Sequence, residues 1–231
     1  MKMNLLKVAV VVIGFFPACC FADMISTRII DFRDDAEEEI TGPNAGNVFR
    51  SSSDLEIGNQ NGVEQWVGLR YQNIAIPNGS TINSVSVQFT STALDVGSLV
   101  IPIVGQLSPD TVSFSDIDKL TTRPLTAAQI LWTIPVWAPG DSGANTTTPD
   151  LAGIVQEIVN QGGWSSGNSM VFLFKNQPLE TSERSAASFD RNPALSALLT
   201  VDFSPVNIPE PTGVAVILSV CWFGLIHRQF P

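Results

Sequence analysis

The chain reads as all-β, a sandwich of two antiparallel sheets with one short helix, and three observations carry that reading. Short runs rich in β-branched and aromatic residues recur along it, separated by Gly, Pro, Asn and Ser, the residues that punctuate strands and turns. Only one stretch has persuasive helical periodicity. No cysteine or histidine lies between the two apolar ends, so packing alone must hold the intervening segment together.

Taken in order, the strands fall at residues 24–32, 48–52, 64–72, 81–90, 98–105, 130–136, 169–174, 185–189 and 198–203. Pro77-Asn78-Gly79-Ser80 is the clearest turn, since proline presets φ and glycine supplies a positive one, and it is expected to join two adjacent strands. In 64–72 the period of two places Gln65, Val67, Leu69 and Tyr71 on a core face, and Glu64, Trp66, Gly68, Arg70 and Gln72 on the other. Trp132 shares parity with Ile130 and Ile134 and reads as core. Thr126 and Gln129 are spaced as a capping box, but the alternation of Ile130, Trp132, Ile134 and Val136, with Pro135 among them, reads as a strand. The helix spans about 148–161: Thr148 caps it, Pro149 opens it, and Leu151, Ile154, Val155, Ile158 and Val159 form its apolar stripe before Gly162-Gly163. That stripe is expected to close one end or edge of the sandwich.

Both ends read as targeting segments. Lys2 and Lys7 precede an apolar run, and Cys20-Phe21-Ala22 offers small residues for a signal peptidase, predicting a leader over 1–22 and a mature start at Asp23. A lipidated Cys19 or Cys20 fits less well because Pro17 distorts the segment leading to it. At the other end stand Pro209-Glu210-Pro211, a 14-residue apolar run over 213–226, then His227 and Arg228. As a helix that run would cover roughly 21 Å, short of the ~30 Å hydrocarbon core, a poor permanent anchor. Arg228 would hold the tail on the cytoplasmic side. This order resembles the PEP-CTERM sorting signal of exosortase-processed envelope proteins rather than an ordinary tail anchor. The resemblance implies recognition and removal of 206–231 by an exosortase, with transient residence in the inner membrane. It implies delivery to the cell surface, outer envelope or extracellular matrix.

Removal of both segments leaves one domain, 23–205, long enough for a sizeable core. Residues 23–208 hold nine Lys and Arg against 21 Asp and Glu, a net charge of −12. Such acidity repels phosphate backbones and acidic polymers, so nucleic acid is not expected as a partner. The sole histidine, His227, and the cysteines Cys19, Cys20 and Cys221 all lie in the terminal segments. That excludes His-based metal sites, Ser-His-Asp triads and Cys-His dyads, and leaves carboxylate pairs as the only acid/base chemistry.

Several short stretches share an order with a known group of modules: 52–58, 67–71, 76–82, and a helix ending Val155-Gln156-Glu157-Ile158-Val159-Asn160. Together they resemble the DNRLRE, or disaggregatase-related, jelly-roll modules of secreted bacterial proteins, over roughly 34–203, although the DNRLRE motif itself is missing. The resemblance implies a two-sheet jelly roll and suggests glycan contact. Trp66, flanked by Glu64 and Arg70, has the makings of a sugar platform, an aromatic face for ring C–H groups beside polar partners for hydroxyls. Alternatively a loop or the helix covers it. The loop residues Trp137 and Trp164 either plug the sandwich ends or line the same groove. In the acidic run 34–39, a strand would set Asp35, Glu37 and Glu39 on a polar side, where Asp54 and Glu56 could complete a structural calcium site. The competing reading is a solvated edge whose charge discourages aggregation. The functional expectation is an exported, non-catalytic matrix protein that binds extracellular polysaccharide. The alternatives are a structural or adhesion protein without a small ligand, and a carboxylate-dependent carbohydrate-active enzyme.

Overall fold

The structure, a computed structural model, describes residues 22–206. The positive and apolar segments of the expected leader lie outside these residues, as do Pro209, Glu210, Pro211 and Arg228 of the expected sorting signal. The described elements are β1 (Asp23–Arg28), β2 (Asp35–Glu39), β3 (Val48–Phe49), β4 (Asp54–Gln60), β5 (Val63–Tyr71), β6 (Thr81–Gln88), β7 (Leu99–Gln106), β8 (Leu125–Ile134), α1 (Ala152–Val159), β9 (Met170–Lys175), β10 (Glu183–Ala187) and β11 (Leu198–Ser204). Every expected strand is present with shifted ends, the second, 48–52, reduced to the two residues of β3. β2 and β4 are additional. Among the described residues no helix is long and apolar enough to cross a membrane.

A small sheet runs β1-β11-β6, and a larger one runs β10-β4-β5-β9-β7-β8, with β2 on β5 and β3 on β2; all pairings are antiparallel. The large sheet divides at β5. β2 occupies one edge from Gln65 to Leu69, and Ile40 N–H extends that edge by donating to the Glu64 carbonyl at 2.8 Å. The opposite edge is shared: β4 holds it only from Val63 to Gln65, and β9 takes over from Trp66. β4 therefore leaves the sheet and carries β10 toward the facing layer. There Thr92 N–H donates to Ser185 and Ala187 N–H to Thr90, tying β10 to the chain just beyond β6. Gly58 is where β4 departs, at φ +110°. A Cβ there would stand 2.5 Å from the Ser182 carbonyl oxygen, so the bend requires glycine.

The main core fills the space between layers. Val67, Leu69 and Tyr71 of β5, with Ile101, Ile103, Phe172 and Phe174 beside them, meet Val85, Val87, Leu199, Val201 and Phe203 from the small sheet. The apolar alternation in β5 and the burial of Trp132 are as the sequence predicts. The stripe of α1, Ile154, Val155, Ile158 and Val159, packs into this core against β6, β7 and β8. The helix starts later than its capping signals suggest, because Thr148 is held by β6, and Asp150 Oδ1 is shared between β6 and the Ala152 N–H at the helix start, 3.0 Å. Thr148 Oγ1 accepts from Val87 N–H and Asp150 Oδ1 from Val85 N–H, extending the edge of β6. Pro77-Asn78-Gly79-Ser80 does turn, with Ser80 N–H donating to Pro77 at 3.2 Å. It passes the chain from the large sheet to the small one, however, and joins no adjacent strands.

The outer face of the large sheet is covered too. Residues 107–124, which contain a 3-10 turn at Leu120–Thr122, drop Phe114 and Leu120 onto Ala36, Val104, Val171 and Leu173 to make a second, smaller core. Gly68 makes room for this: a Cβ there would lie 2.8 Å from Phe114 Cζ.

Candidate functional site: an acidic cleft between the layers

Register decides where the acidic run points. Asp35 stands opposite Leu69, Glu37 opposite Val67 and Glu39 opposite Gln65. Directly opposed residues share a face, so all three carboxylates lie on the inner face with the core. The expected solvated polar side is corrected on this point. β3 adds Phe49 opposite Glu37, also on the inner side. Across from β2 on the other side of β5, β4 brings Glu56 and Gln60, and Ser51 and Ser52 connect the two walls. Where apolar filling stops, between β2 and the departing β4, a cleft of about 340 Å³ remains, with Gln65 also on its wall.

The cleft is dominated by acceptors. Glu37 is 3 % exposed, and its Oε1 accepts from Glu56 N–H at 2.5 Å. Burial, reinforced by hydrogen bonding to the Glu56 carboxylate and by its charge, pushes Glu37 well above the usual carboxylate range. Glu39 Oε1 has only a long contact with Asn44 Nδ2, 3.4 Å, and its Oε2 is buried without a partner. Gln65 Nε2 donates to Gln60 Oε1 at 3.2 Å. No Lys or Arg lines the cleft, and Phe49, 40 % exposed, stands at its lip. Outside it, burial and then Asp95 and Glu56 raise Glu183.

The four residues expected to hold calcium do not converge. Asp35 Oδ2 accepts from Phe189 N–H at 2.7 Å, and burial, with smaller effects from Asp190 and Asp34, lifts its pKa to about 7. Asp54 pairs with Arg191 at 2.9 Å; burial opposes its ionisation, but hydrogen bonds from Arg191, Thr92 and Ser53 outweigh that and lower its pKa. Only Glu37 and Glu56 meet. Among the described residues no group of three or more His, Cys, Asp and Glu side chains is arranged to hold a metal ion.

The expected aromatic groove is also rearranged. Trp137 and Trp164 are buried, their Nε1–H groups donating to the Asn145 and Ile76 carbonyls at 3.0 Å, so both plug the sandwich. Arg70 is enclosed by Asp34 at 2.8 Å, the Thr111 carbonyl at 2.9 Å, Ser169 Oγ at 2.9 Å and Ser113 Oγ at 3.2 Å, which leaves it no role at a sugar. Trp66 is half-buried against the second core, with the Lys175 ammonium 5.0 Å from its ring centroid, where a sugar would have to stack. Glu64 remains half-exposed nearby. The exposed aromatic beside carboxylates is Phe49, a residue that sequence parity did not single out.

No protein-family model matches the chain, and no curated protein matches it either. The site is defined by its chemistry alone: a concave polar slot with an aromatic lip, rich in hydrogen-bond acceptors.

Proposed function

We propose that the protein is an exported, non-catalytic glycan-binding protein of the cell surface or extracellular polysaccharide matrix, with the cleft between β2 and β4 as its binding site. The observation that carries this reading is the cleft's combination of an exposed Phe49 ring with Glu37, Glu39, Glu56, Gln60 and Gln65. An apolar ring offers a surface to sugar C–H groups, and carboxylates and amides accept from hydroxyls. Its leader and its PEP-CTERM-like tail, removed by an exosortase, would deliver it to an envelope rich in polysaccharide.

The close Glu37 and Glu56 pair favours a second reading, a carbohydrate-active enzyme that uses two carboxylates. Retaining glycosidases need these groups about 5 Å apart and inverting ones more, whereas Glu37 Oε1 is already taken by the backbone N–H of Glu56 at 2.5 Å. Binding is therefore the better account. Glycan-array screening of the purified protein tests it: retention on a restricted set of glycans is expected without their hydrolysis. Hydrolysis of a bound glycan would favour the enzyme, and no binding to any glycan would leave the structural or adhesion role. Mass spectrometry of the extracellular protein should find a start near Asp23 and loss of the residues after the Pro209-Glu210-Pro211 region. Recovery of Arg228 from mature protein would contradict the sorting proposal.

A further inference from the structure

Resting on the glycan-binding reading of the same cleft, we propose that the sugar it takes carries a protonated primary amine: a free amino sugar within a glycan chain. Donor and acceptor accounting carries the inference. Gln65 is 4 % exposed, its Nε2 is committed to Gln60, and its Oε1 has no partner on the protein. Glu39 Oε2 is buried and unpaired, and Glu37 and Glu56 crowd each other. On the donor side stand only the hydroxyls of Ser51 and Ser52 and the amide nitrogen of Gln60, all neutral and too few for three carboxylates. A ligand must therefore bring donors, and a positive charge is favoured over a neutral group.

The protein's own cations do not supply that charge. Arg70 is held by Asp34, Arg191 by Asp54, and Arg184 by the carbonyls of Pro135, Gly97 and Ile134. An ammonium presents three N–H donors and a compact charge, which suits a group of carboxylates with unused lone pairs. An N-acetyl group offers one donor, no charge and added bulk, and a uronate would set a fourth carboxylate against three. The volume, near the small end of the roughly 300–1,000 Å³ range of ligand clefts, suits a short stretch of a chain. The Phe49 ring at the lip needs a ligand with an apolar face, which a sugar has and a bare diamine lacks.

Isothermal titration of the purified protein at neutral pH and low salt tests this, with five probes: a fully deacetylated chitosan tetramer, its N-acetylated counterpart, cellotetraose, tetragalacturonate and putrescine. The deacetylated tetramer should bind at least about tenfold more tightly than the N-acetylated and neutral tetramers, and tetragalacturonate should give no binding. Glu39→Gln, with wild-type melting behaviour as its folding control, should weaken the deacetylated tetramer about tenfold and cellotetraose by much less, so that the preference for the amine shrinks. Equal affinity for cellotetraose or the N-acetylated tetramer would overturn the amine requirement while leaving glycan binding intact. Putrescine binding as tightly as the deacetylated tetramer would show an amine site that ignores the sugar, and would overturn the proposal. Binding of none of the four oligosaccharides would remove the glycan-binding reading and this inference with it.

Discussion

Asp34 and Glu37 lie three residues apart in one acidic run, and the protein treats their charges in opposite ways. Asp34, fully buried, is met by Arg70 at 2.8 Å and by Gln72 Nε2 at 2.5 Å, and the guanidinium is further satisfied by Thr111, Ser113 and Ser169. Glu37, almost as buried, has a backbone N–H and another carboxylate for neighbours. Burying a charge is costly unless it is paired, so the first cluster is consistent with a structural role. The second leaves a carboxyl group beside a cleft with no cation to stabilise its ionised form.

The largest effect should come from breaking the satisfied cluster. Arg70→Met leaves Asp34 buried without its cation and should lower unfolding free energy by about 3–5 kcal/mol in urea titrations. A loss below about 1 kcal/mol would show that the ion pair is dispensable and the contrast is wrong. Trp137→Ala should cost a similar ~3–5 kcal/mol, since Trp137 packs against Phe89 and Trp132 in the main core. Trp66→Ala should cost visibly less, because its ring is half-exposed.

The buried carboxyls that lack a cation should respond to pH with a definite sign. Asp35, at about 7, and Glu37 and Glu183, also raised, hold more protons in the folded state than in the unfolded one. Their contribution to stability is fully present below the unfolded carboxylate range and is lost as pH rises toward and through about 7. Melting temperature should therefore rise as pH is lowered from about 8 to about 5, and a flat or falling profile would contradict these assignments. Asp54, shifted the other way, opposes this at more acidic pH. Smaller still, Glu37→Gln should raise stability at about pH 8 by roughly 1 kcal/mol while weakening glycan binding, the trade expected of a functional site.

The same contrast explains what was legible in the sequence. Strands with apolar alternation, such as β5 and β11, announce their core faces because burial selects Val, Leu and Phe at every second position. β2 carries Asp35, Glu37, Glu38 and Glu39 instead, residues disfavoured in strands, and β4 sets only Leu55 and Ile57 in alternation with Asp54 and Glu56; parity of charge says nothing about which side is wet. One local signal was available for β4: Asn61-Gly62, both at positive φ, is the two-residue turn typical of hairpins, and it joins β4 to β5. Arg70 was misplaced for a different reason. Alternation puts it on the outer face correctly, but cannot foresee that residues 107–124 fold over that face. Trp137 and Trp164 illustrate the converse, loop aromatics whose indole N–H groups find backbone carbonyls inside the molecule.

The most direct test of the cleft as the binding site compares two aromatic truncations, Phe49→Ala and Trp66→Ala, for retention of the protein on extracellular polysaccharide from the cells that produce it. Wild-type protein should be retained, and Phe49→Ala should lose most of that retention, with its melting temperature within about 2 °C of wild type because the ring is already exposed. Trp66→Ala should keep its binding despite a lower melting temperature. Retention lost in Trp66→Ala and preserved in Phe49→Ala would move the site to the outer face of the large sheet and contradict the account.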